Sequence, residues 1–365
     1  MKFSIPREAL LAPIAQVVNV VERRQTLPVL ANFLIEAVED GLRITGTDME
    51  VELVARAKAD VAQTGSITVP ARKLVDICRA LPDGVQMNIQ LNDDKLAIHA
   101  GRSRFTLSTL PASEFPSSDQ SESLASYQVS QGKLRRLVDK TSFAMAHQDV
   151  RHYLNGLLLE FRGDQLRAVA TDGHRLALSE MDADLPGEPR SLIVPRKGVM
   201  EINRILEDID EPLNVIVGQG FLRIDRERII MTTKLIDGRF PDYEAVIPMA
   251  TDNALMANRS DMIDALQRAA ILSNEKYRGV RLDMEPGTVR VVAHNPQQEE
   301  AVEELEAEHS FDKLKVGFNV NYLLDALHAI DGDQVRVALR DANSTCLVTA
   351  IDSDSVRQVV MPLKL

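Results

Sequence analysis

The sequence is poor in aromatic residues and cysteine and has no long apolar stretch. Tryptophan is absent and aromatic residues make up 4% of the 365 residues, which argues against a surface that stacks on single-stranded bases. Two cysteines, Cys78 and Cys346, are too few for a disulfide framework or a four-cysteine metal site. No apolar run approaches the ~18 residues of a membrane span, and the first residues lack the pattern of a signal peptide. We therefore expect a globular cytoplasmic protein with no membrane partner.

The signatures of common enzyme classes are missing as well. The sequence has no Walker phosphate loop, no G-x-G-x-x-G, no G-x-S-x-G and no H-E-x-x-H. The strongest catalytic candidate is the segment TDGHR at 171–175, where Asp172 and His174 have the residue types of a base and an acid. His147 and His152 lie five residues apart with no third metal ligand nearby. Neither pair is a strong indication of catalysis or of a metal site.

Several segments of the sequence recur at a constant distance. Residues 69–81, 46–48 and 114–116 have counterparts at 194–206, 170–172 and 239–241, shifted by 125, 124 and 125 positions. A more divergent third copy places 279–284, 293–296 and 317–320 against 155–160, 170–173 and 192–195. A constant shift over separate segments indicates an internal repeat. We predict three domains at 1–122, 123–250 and 251–365, with the serine-rich segment 117–123 as the first linker.

Each repeat has the same internal pattern. A helical pattern opens it, strand-like alternation follows, and then come a second helix and several short strands separated by Asp-Gly turns such as 83–84 and 237–238. Two helices packed on a mainly antiparallel sheet make an α+β domain. The predicted fold class is therefore α+β, repeated three times.

The repeat also bears on the catalytic candidate. Asp48 has the position in the first repeat that Asp172 has in the second, but Met49 follows it instead of Gly, His and Arg. An aspartate that recurs without its histidine indicates a turn residue. The segment 173–176, which is specific to the second repeat, is better interpreted as a partner-binding surface. The apolar C-terminal segment 359–365 fits either a final edge strand or part of a hydrophobic peptide groove.

Charge is unevenly distributed along the chain. The formal net charge is −12, from 42 basic and 54 acidic side chains. The predicted helical segments carry 20 basic and 11 acidic residues, which leaves 22 basic and 43 acidic residues elsewhere. These segments are 7–24, 71–81, 131–151, 196–207, 259–278 and 313–330. The helices are thus net positive in a protein that is acidic overall.

Two interpretations of this charge stay open. Amphipathic helices expose charges of either sign, so the excess can be solvated surface. Alternatively, the helices face a polyanion, and Lys133, Arg136 and Lys140 share one face of the third helix. Because no helix-turn-helix, zinc-finger or RNA-binding signature is present, we expect such a polyanion to be a duplex bound without sequence preference.

Simple geometry limits how such helices can surround a duplex. If helices ~10 Å wide stand side by side, six from one chain enclose a bore of ~9 Å, whereas twelve from two chains enclose ~28 Å. Only the second bore admits a duplex. The acidic run 299–308 and the basic residues Lys73, Arg102 and Arg104 are complementary in charge, which favours head-to-tail pairing of two chains.

Five motifs resemble those of one known family. They are TDGHRLA at 171–177, VPRKG at 194–198, DGRFPDY at 237–243, AAILSNEK at 269–276 and VMPL at 360–363. Together they resemble the beta sliding clamp of bacterial DNA polymerase III, and the resemblance extends over the whole chain. It implies three clamp domains, a head-to-tail homodimeric ring that slides on duplex DNA, and no catalysis, cofactor or metal. The implied function is that of a polymerase processivity factor, with the replicative polymerase subunit, the clamp loader and other proteins with a clamp-binding motif as partners.

The resemblance also implies three sets of site residues. DNA contacts are implied for Arg24, Arg72, Gln148, His152 and Tyr153. The partner-peptide groove is implied for Leu154, Thr171, Gly173, His174, Arg175, Leu176, Pro241, Val246, Val359, Val360, Met361 and Pro362. The dimer interface is implied for Lys73, Arg102, Arg104, Phe105, Leu107, Ile271, Leu272, Glu299, Glu300, Glu303 and Glu304. Two other functions stay in competition, namely an enzyme that uses Asp172 and His174, and an acidic scaffold that binds only proteins.

Overall fold

The computed structural model describes residues 1–22, 27–116, 122–248 and 253–364. Arg24, a predicted DNA contact, lies outside the described residues, as do 117–121 of the predicted linker and 249–252 at the second predicted boundary. None of the helices in the described ranges has the length and apolar character needed to span a bilayer.

Six α-helices occur in the described part of the chain, two in each predicted domain. They are α1 (Arg7–Val17), α2 (Ala71–Ala80), α3 (Gln131–Asp139), α4 (Arg196–Ile205), α5 (Arg259–Ala270) and α6 (Val320–Ala329). Each helix begins at the residue after a strand ends, so the strand-to-helix junction recurs in all three repeats. At α5 and α6 the side chains of Asn258 and Asn319 accept the first free backbone N–H groups, which is the usual way to cap a helix start.

Twenty-four strands occur in the same ranges. They are β1 (Lys2–Pro6), β2 (Asn32–Val38), β3 (Gly41–Thr47), β4 (Val51–Ala57), β5 (Asp60–Gln63), β6 (Gly65–Pro70), β7 (Gln86–Asn92), β8 (Lys95–Ala100), β9 (Ser103–Ser108), β10 (Ser123–Ser130), β11 (Gly156–Thr171), β12 (Arg175–Pro195), β13 (Pro212–Gly218), β14 (Phe221–Arg226), β15 (Ile229–Lys234), β16 (Ala254–Asn258), β17 (Gly279–Glu285), β18 (Thr288–His294), β19 (Glu300–Leu305), β20 (Ala307–His309), β21 (Leu314–Asn319), β22 (Gln334–Ala338), β23 (Cys346–Ala350) and β24 (Val356–Val360). The strand pairs are antiparallel. Helices on antiparallel sheets confirm the predicted α+β class.

The chain divides into two compact units, which we describe separately. The first unit contains Met1–Gly132 and Lys197–Leu235. Its two sheets have the strand orders β5-β1-β7-β8-β9 and β10-β13-β14-β15-β4-β3-β2-β6. The larger sheet joins strands of the first two predicted domains through β15 and β4, which place Thr233 opposite Val51.

The second unit contains Lys133–Arg196 and Ile236–Leu365. Its sheets have the orders β11-β12-β24-β23-β22-β16-β20 and β19-β18-β17-β21. Here β12 of the second predicted domain pairs with β24 of the third. Because sheets continue across the sequence repeats in both units, the compact units do not follow the repeat boundaries, and the bounds of the three domains stay a prediction.

Helix α5 shows why these segments become helices. Its apolar residues Met262, Ala265, Leu266 and Ala269 are buried in the core of the second unit, with the i, i+3, i+4, i+7 spacing of one helix face. The charged Arg268 lies on the opposite, exposed face. Each fully buried large apolar side chain contributes ~1.5–3 kcal/mol relative to exposure.

The helices are shorter than the segments predicted from the sequence. They carry 12 basic and 7 acidic side chains, and the basic excess belongs to α2, α3 and α4, each with three basic residues and one acidic residue. Helices α1 and α5 are neutral, and α6 carries only Asp325 besides His328. The net positive charge of the helices therefore comes from α2, α3 and α4.

Candidate functional site

The segment 171–175 forms a tight turn between β11 and β12 in the second unit. The Thr171 hydroxyl donates to the Arg175 carbonyl at 2.6 Å and accepts the Gly173 N–H at 3.1 Å. Asp172 Oδ1 accepts the N–H groups of His174 and Arg175 at 2.9 and 3.1 Å. Gly173 has φ +90°, a conformation that side-chain-bearing residues rarely adopt.

The first unit contains the same turn at 47–51. The Thr47 hydroxyl donates to the Val51 carbonyl and accepts the Met49 N–H. Asp48 Oδ1 accepts the N–H groups of residues 50 and 51. Met49 takes the position of Gly173 with φ 76°. The aspartate is thus a turn residue in both repeats, as the sequence indicates. Asp172 Oδ2 also accepts Arg175 Nε at 3.1 Å, so both of its oxygens are engaged and the geometry does not favour a catalytic base.

Strand β24 runs beside this turn in the second unit, where residues of the predicted groove lie. Val359 pairs with Leu176 and Val360 with Arg175, and the Met361 N–H donates to the His174 carbonyl at 2.9 Å. The C-terminal segment is therefore a strand that also borders the turn specific to the second repeat. Because β24 is paired on both sides, with β12 and with β23, the prediction of a final edge strand is wrong, and the groove interpretation stays a prediction.

The predicted groove residues separate into a buried floor and an accessible rim. The floor residues Leu154, Leu176, Val359 and Val360 are at most 3% exposed. The exposed rim residues are His174, Pro241, Val246 and Met361, while Thr171, Gly173, Arg175 and Pro362 are half-buried. Leu176 and Val359 belong to one apolar cluster, whose other members are Leu158, Val169, Leu178, Ile193, Phe240 and Tyr243. The predicted groove residues therefore combine a buried apolar base with exposed side chains at its border.

The equivalent place in the first unit is polar. There the Lys234 N–H donates to the Glu50 carbonyl at 2.9 Å, as the Met361 N–H does to the His174 carbonyl in the second unit. Likewise, Thr232 pairs with Glu52 as Val359 pairs with Leu176. The backbone arrangement is the same in the two units. Thr232 and Glu52 stand where the second unit has the apolar Val359 and Leu176, which are side chains of the kind that an amphipathic or extended peptide contacts.

An aromatic and charged cluster holds Arg175 at one side of the groove. Its guanidinium lies 4.5 Å from the Tyr322 ring centre and 5.4 Å from that of Phe143. It also donates to Asp325 Oδ2 at 2.5 Å and to the Phe143 carbonyl at 2.8 Å. His174 stacks on Tyr322 at 6.5 Å. Tyr322, Phe143 and Asp325 were not predicted from the sequence, because no local pattern links Arg175 to Phe143, 32 residues away, or to α6, about 150 residues away.

The segment 240–247 packs on the same apolar cluster, and a polar network fixes it to β11. The Tyr243 hydroxyl donates to Glu160 Oε2 at 2.5 Å and accepts from Arg167 and Arg162 at 2.9 and 3.0 Å. Glu244 pairs with the same two arginines at 3.0 and 3.3 Å. Burial, and then the hydrogen bond to Glu160, raise the pKa of Tyr243 to about 12, so its hydroxyl remains a donor at neutral pH.

The predicted DNA contacts that are described lie in both units. In the first, Arg72 is exposed on α2, and its guanidinium donates to the Val21 carbonyl at 2.9 Å. In the second, Gln148 and His152 are exposed in the loop before β11, and Gln148 has φ 55°. Tyr153 of the same loop is half-buried and packs on the apolar cluster under the groove.

The loop that carries Gln148 and His152 has its own charged pair. Asp149 accepts the N–H and the guanidinium of Arg151 at 2.8, 3.0 and 2.9 Å, and the Arg151 hydrogen bond lowers the pKa of Asp149 to about 2. Asn155 exchanges two further bonds with Asp149, each of 2.9 Å. Val150 at the tip of the loop is 88% exposed.

The three basic residues predicted to share one face of α3 do not all belong to that helix. Lys133 and Arg136 are exposed on α3, but the helix ends at Asp139, so Lys140 follows it. Arg136 and Lys140 both pair with Asp331, each at 2.6 Å. The sequence analysis missed this carboxylate, which lies just after α6.

The two predicted halves of the dimer interface lie on strands at sheet edges. Arg104, Phe105 and Leu107 are on β9, the last strand of its sheet. Glu300, Glu303 and Glu304 are on β19, the last strand of the four-stranded sheet, and Glu299 precedes it. Ile271 is 76% exposed after α5, and Leu272 is half-buried.

The acidic half of this interface already has contacts within its own unit. Arg268 pairs with Glu303 at 2.8 Å, Arg290 with Glu304 at 3.3 Å and His294 with Glu300 at 3.5 Å. Glu299 accepts from the Asn295 side chain at 2.5 Å. In the described ranges, no ion pair is seen for Lys73, Arg102 or Arg104, the basic half. Across the same ranges, no three His, Cys, Asp or Glu side chains are grouped to hold a metal ion.

Comparison with known proteins identifies a family for the whole chain. Residues 1–119, 128–242 and 244–364 match the N-terminal, central and C-terminal domains of the DNA polymerase III beta subunit. The beta sliding clamps of Pseudomonas aeruginosa, Escherichia coli and Vibrio cholerae are 51%, 46% and 44% identical, and each alignment covers 100% of both chains.

Solved structures give the same result. A Pseudomonas aeruginosa sliding clamp bound to griselimycin has a TM-score of 0.97 at 51% identity, with 100% of both chains covered. The Caulobacter crescentus polymerase III beta subunit has a TM-score of 0.95 at 38% identity, again over 100% of both chains. The chain therefore belongs to the DNA polymerase III beta subunit family, the bacterial sliding clamps, and is a non-catalytic processivity factor built from three clamp domains.

Proposed function

We propose that two copies of this chain associate head to tail into a ring that encircles duplex DNA and tethers the replicative polymerase through the groove beside β24. The observation that carries the proposal is the pair of edge strands β9 and β19, which lie in different units and have opposite charge. A contact between unlike surfaces repeats from copy to copy, and it closes when the rotation per chain is a half circle.

Pairing of β9 with β19 satisfies the backbone groups at both edges. An edge strand presents a row of unpaired N–H and C=O groups, and a strand of another chain can bond to them. Lys73, Arg102 and Arg104 then face Glu299, Glu300, Glu303 and Glu304, while Phe105 and Leu107 meet Ile271 and Leu272. The apolar pairs supply most of the contact energy, because exposed ion pairs contribute only ~0–1 kcal/mol each.

The basic helices α2, α3 and α4 are proposed to face the duplex. Arg24, Arg72, Gln148, His152 and Tyr153 are proposed to contact its backbone, with no base readout. Phosphate contacts give affinity without sequence preference, and weak contacts allow movement along the duplex. The acidic outer regions would repel DNA and keep it in the bore.

The groove of the second unit is the proposed site for partner peptides. Its apolar floor supports this role, together with its exposed rim and the polar side chains at the equivalent place in the first unit. The proposed partners are the polymerase subunit, the clamp loader and other proteins that carry a short apolar clamp-binding motif. The protein would act in the cytoplasm, at the replication fork on the nucleoid.

The test is retention of the protein on circular and linear duplex DNA. A ring assembled on a circle stays linked to it and leaves a linear duplex through the free ends, so loaded protein should elute with the circle only. A protein that is retained equally on both forms would be a simple binder, and the ring would be wrong.

A charge-reversal variant tests the role of the basic residues of α3. We expect replacement of Lys133, Arg136 and Lys140 by Glu to shorten retention on the circle at low salt, where phosphate contacts are strongest. Replacement of Lys58, Lys95 and Lys313, three exposed lysines outside the helices, by Glu provides a control for the same change of net charge elsewhere. Unchanged retention in the first variant would contradict the proposed DNA-facing role of α3.

A further inference from the structure

One carboxylate holds two of the three basic residues of the α3 face. Arg136 Nη2 lies 2.6 Å from Asp331 Oδ2, and Lys140 Nζ lies 2.6 Å from Asp331 Oδ1. Each oxygen of Asp331 therefore accepts from a different cation. Asp331 follows α6, almost 200 positions further along the chain, and all three residues belong to the second unit.

The exposure of these side chains argues against a role in folding alone. The Arg136 side chain is 60% exposed and that of Asp331 is 50% exposed, whereas Lys140 is 14% exposed. An ion pair as exposed as that of Arg136 and Asp331 contributes little to folding stability, because water screens the charges. Arg136 and Asp331 also line an open cavity of about 500 Å³, so an external phosphate can reach them.

A DNA phosphate and Asp331 need the same donors. Phosphate oxygens bind Arg and Lys through charge-assisted N–H bonds of the kind that Asp331 already accepts. A phosphate must therefore displace the carboxylate or share its donors. The three charged groups together carry +1 instead of +2, so they also attract a polyanion less strongly.

We propose that Asp331 is a positioning residue that holds Arg136 and Lys140 away from DNA phosphates and so weakens the grip of α3 on the duplex. This inference rests on the proposed function, in which α3 faces the DNA. Its consequence is faster movement of the ring along the duplex, because fewer ionic contacts break at each step.

The experiment compares Asp331→Asn with the wild-type full chain. Binding to a short fluorescent duplex is measured by anisotropy from low to moderate salt. Since each regained phosphate contact adds ~0.9 to the slope of log K against log salt, we expect the slope to steepen by ~0.9–1.8 for one or two contacts. We also expect an approximately tenfold higher affinity at low salt, equivalent to ~1.4 kcal/mol.

Two variants separate this role from a general charge effect. Asp333→Asn removes a carboxylate two residues away and should leave the slope close to that of the wild type. Asp331→Glu keeps a carboxylate and should restore wild-type behaviour. In a chain with Arg136→Ala and Lys140→Ala, Asp331→Asn should no longer change the slope, because the residues on which it acts are gone.

The outcomes distinguish this inference from the proposed function. Equal effects of Asp331→Asn and Asp333→Asn would overturn the inference, since only net charge would matter. Weaker binding by Asp331→Asn would overturn it too, because Asp331 would then hold the cations in place for DNA. Equal retention of the wild type on circular and linear duplex would reject the proposed function, whatever Asp331 does. A urea midpoint equal to that of the wild type shows that Asp331→Asn is folded.

Discussion

Arg175 Nε donates to Asp172 Oδ2 at 3.1 Å, while Asp172 Oδ1 accepts two backbone N–H groups of the same turn. One carboxylate therefore fixes the turn and orients the guanidinium that borders the groove. Asp172, which the sequence pairs with His174 as a possible base and acid, is therefore a structural residue of the turn.

Loss of the Asp172 carboxylate should destabilise the turn. In Asp172→Ala two N–H groups of the turn lose their acceptor, and we expect the free energy of unfolding to fall by ~1–3 kcal/mol. Urea denaturation followed by circular dichroism measures this change. Asp164→Ala, an exposed aspartate in β11, is the matched control. Equal stability of the two variants would contradict the structural role of Asp172.

Floor and rim residues of the groove should respond differently to truncation. Leu176 is 3% exposed, so Leu176→Ala should destabilise the chain by ~2–5 kcal/mol through lost burial and a cavity. Met361 is 39% exposed, so Met361→Ala should change stability by less than ~0.5 kcal/mol and still weaken binding of an apolar clamp-binding peptide. Calorimetric titration of the peptide, paired with denaturation, checks both. Full peptide affinity in Met361→Ala would remove that residue from the site.

The hydroxyl of Tyr243 should position the groove wall. Tyr243→Phe removes its bonds to Glu160 and Arg167 and leaves the buried Glu160 with fewer partners, so we expect a loss of ~1–3 kcal/mol of stability. Peptide affinity should fall as well, since the segment 240–247 is proposed to form a wall of the groove. Tyr277→Phe, at an exposed tyrosine of the same unit, is the control. A Tyr243→Phe protein with normal stability and affinity would show that the network is dispensable.

A charge at Ile271 should separate the proposed dimer. Ile271 is 76% exposed, and an Asp there places an unpaired charge against Phe105 and Leu107 of the other copy. Light scattering should give about 81 kDa for the wild type, twice the chain mass of 40.5 kDa, and 40.5 kDa for Ile271→Asp. Val150→Asp, at a more exposed apolar residue, should remain dimeric. A wild type of 40.5 kDa at micromolar concentration would contradict the proposed dimer.

The pH response of the loop at 147–153 should depend on Arg151. Because the hydrogen bond from Arg151 lowers the pKa of Asp149 to about 2, the carboxylate should stay ionised as pH falls past its ordinary value of ~3.9. The pKa of Asp149 is lower in the folded chain than in the unfolded chain. Its contact with Arg151 therefore stabilises the fold fully above pH ~3.9 and is lost as the pH falls towards about 2. Carbon-13 NMR of the carboxyl group gives the titration curve. In Arg151→Ala the pKa should rise towards ~3.9, and an unchanged value would assign the shift to other groups.

Much of the fold follows from local patterns in the sequence. The helical spacing of Met262, Ile263, Leu266, Ala269 and Ala270 predicts α5, and the structure confirms it. The recurrence of Asp48 as Asp172 predicts a shared turn residue, and each carboxylate accepts the N–H groups two and three residues after it. Such features depend on neighbours within a few residues, so periodicity and repetition reveal them.

The partners of charged residues were less predictable. Lys133, Arg136 and Lys140 suggest one basic face, yet the second and third of them pair with Asp331, which lies beyond α6. Tyr322 and Asp325 reach Arg175 from the same distant helix. No sequence spacing encodes these contacts, because they depend on how α3 and α6 pack within the second unit.

By itself, the sequence determined the α+β class, the three repeats, the turn at Asp172 and the family, since all of these depend on local periodicity, recurrence and motif identity. Only the tertiary structure decided that sheets continue across the repeats, that β24 lies beside the second turn, and that Asp331 holds Arg136 and Lys140. The physical reason is that strand pairing and ion pairing are short-range in space but unrestricted in sequence separation. The turn therefore exists in both units, while the strand beside it supplies Val359 and Val360 from β24 in one unit and Thr232 and Thr233 from β15 in the other.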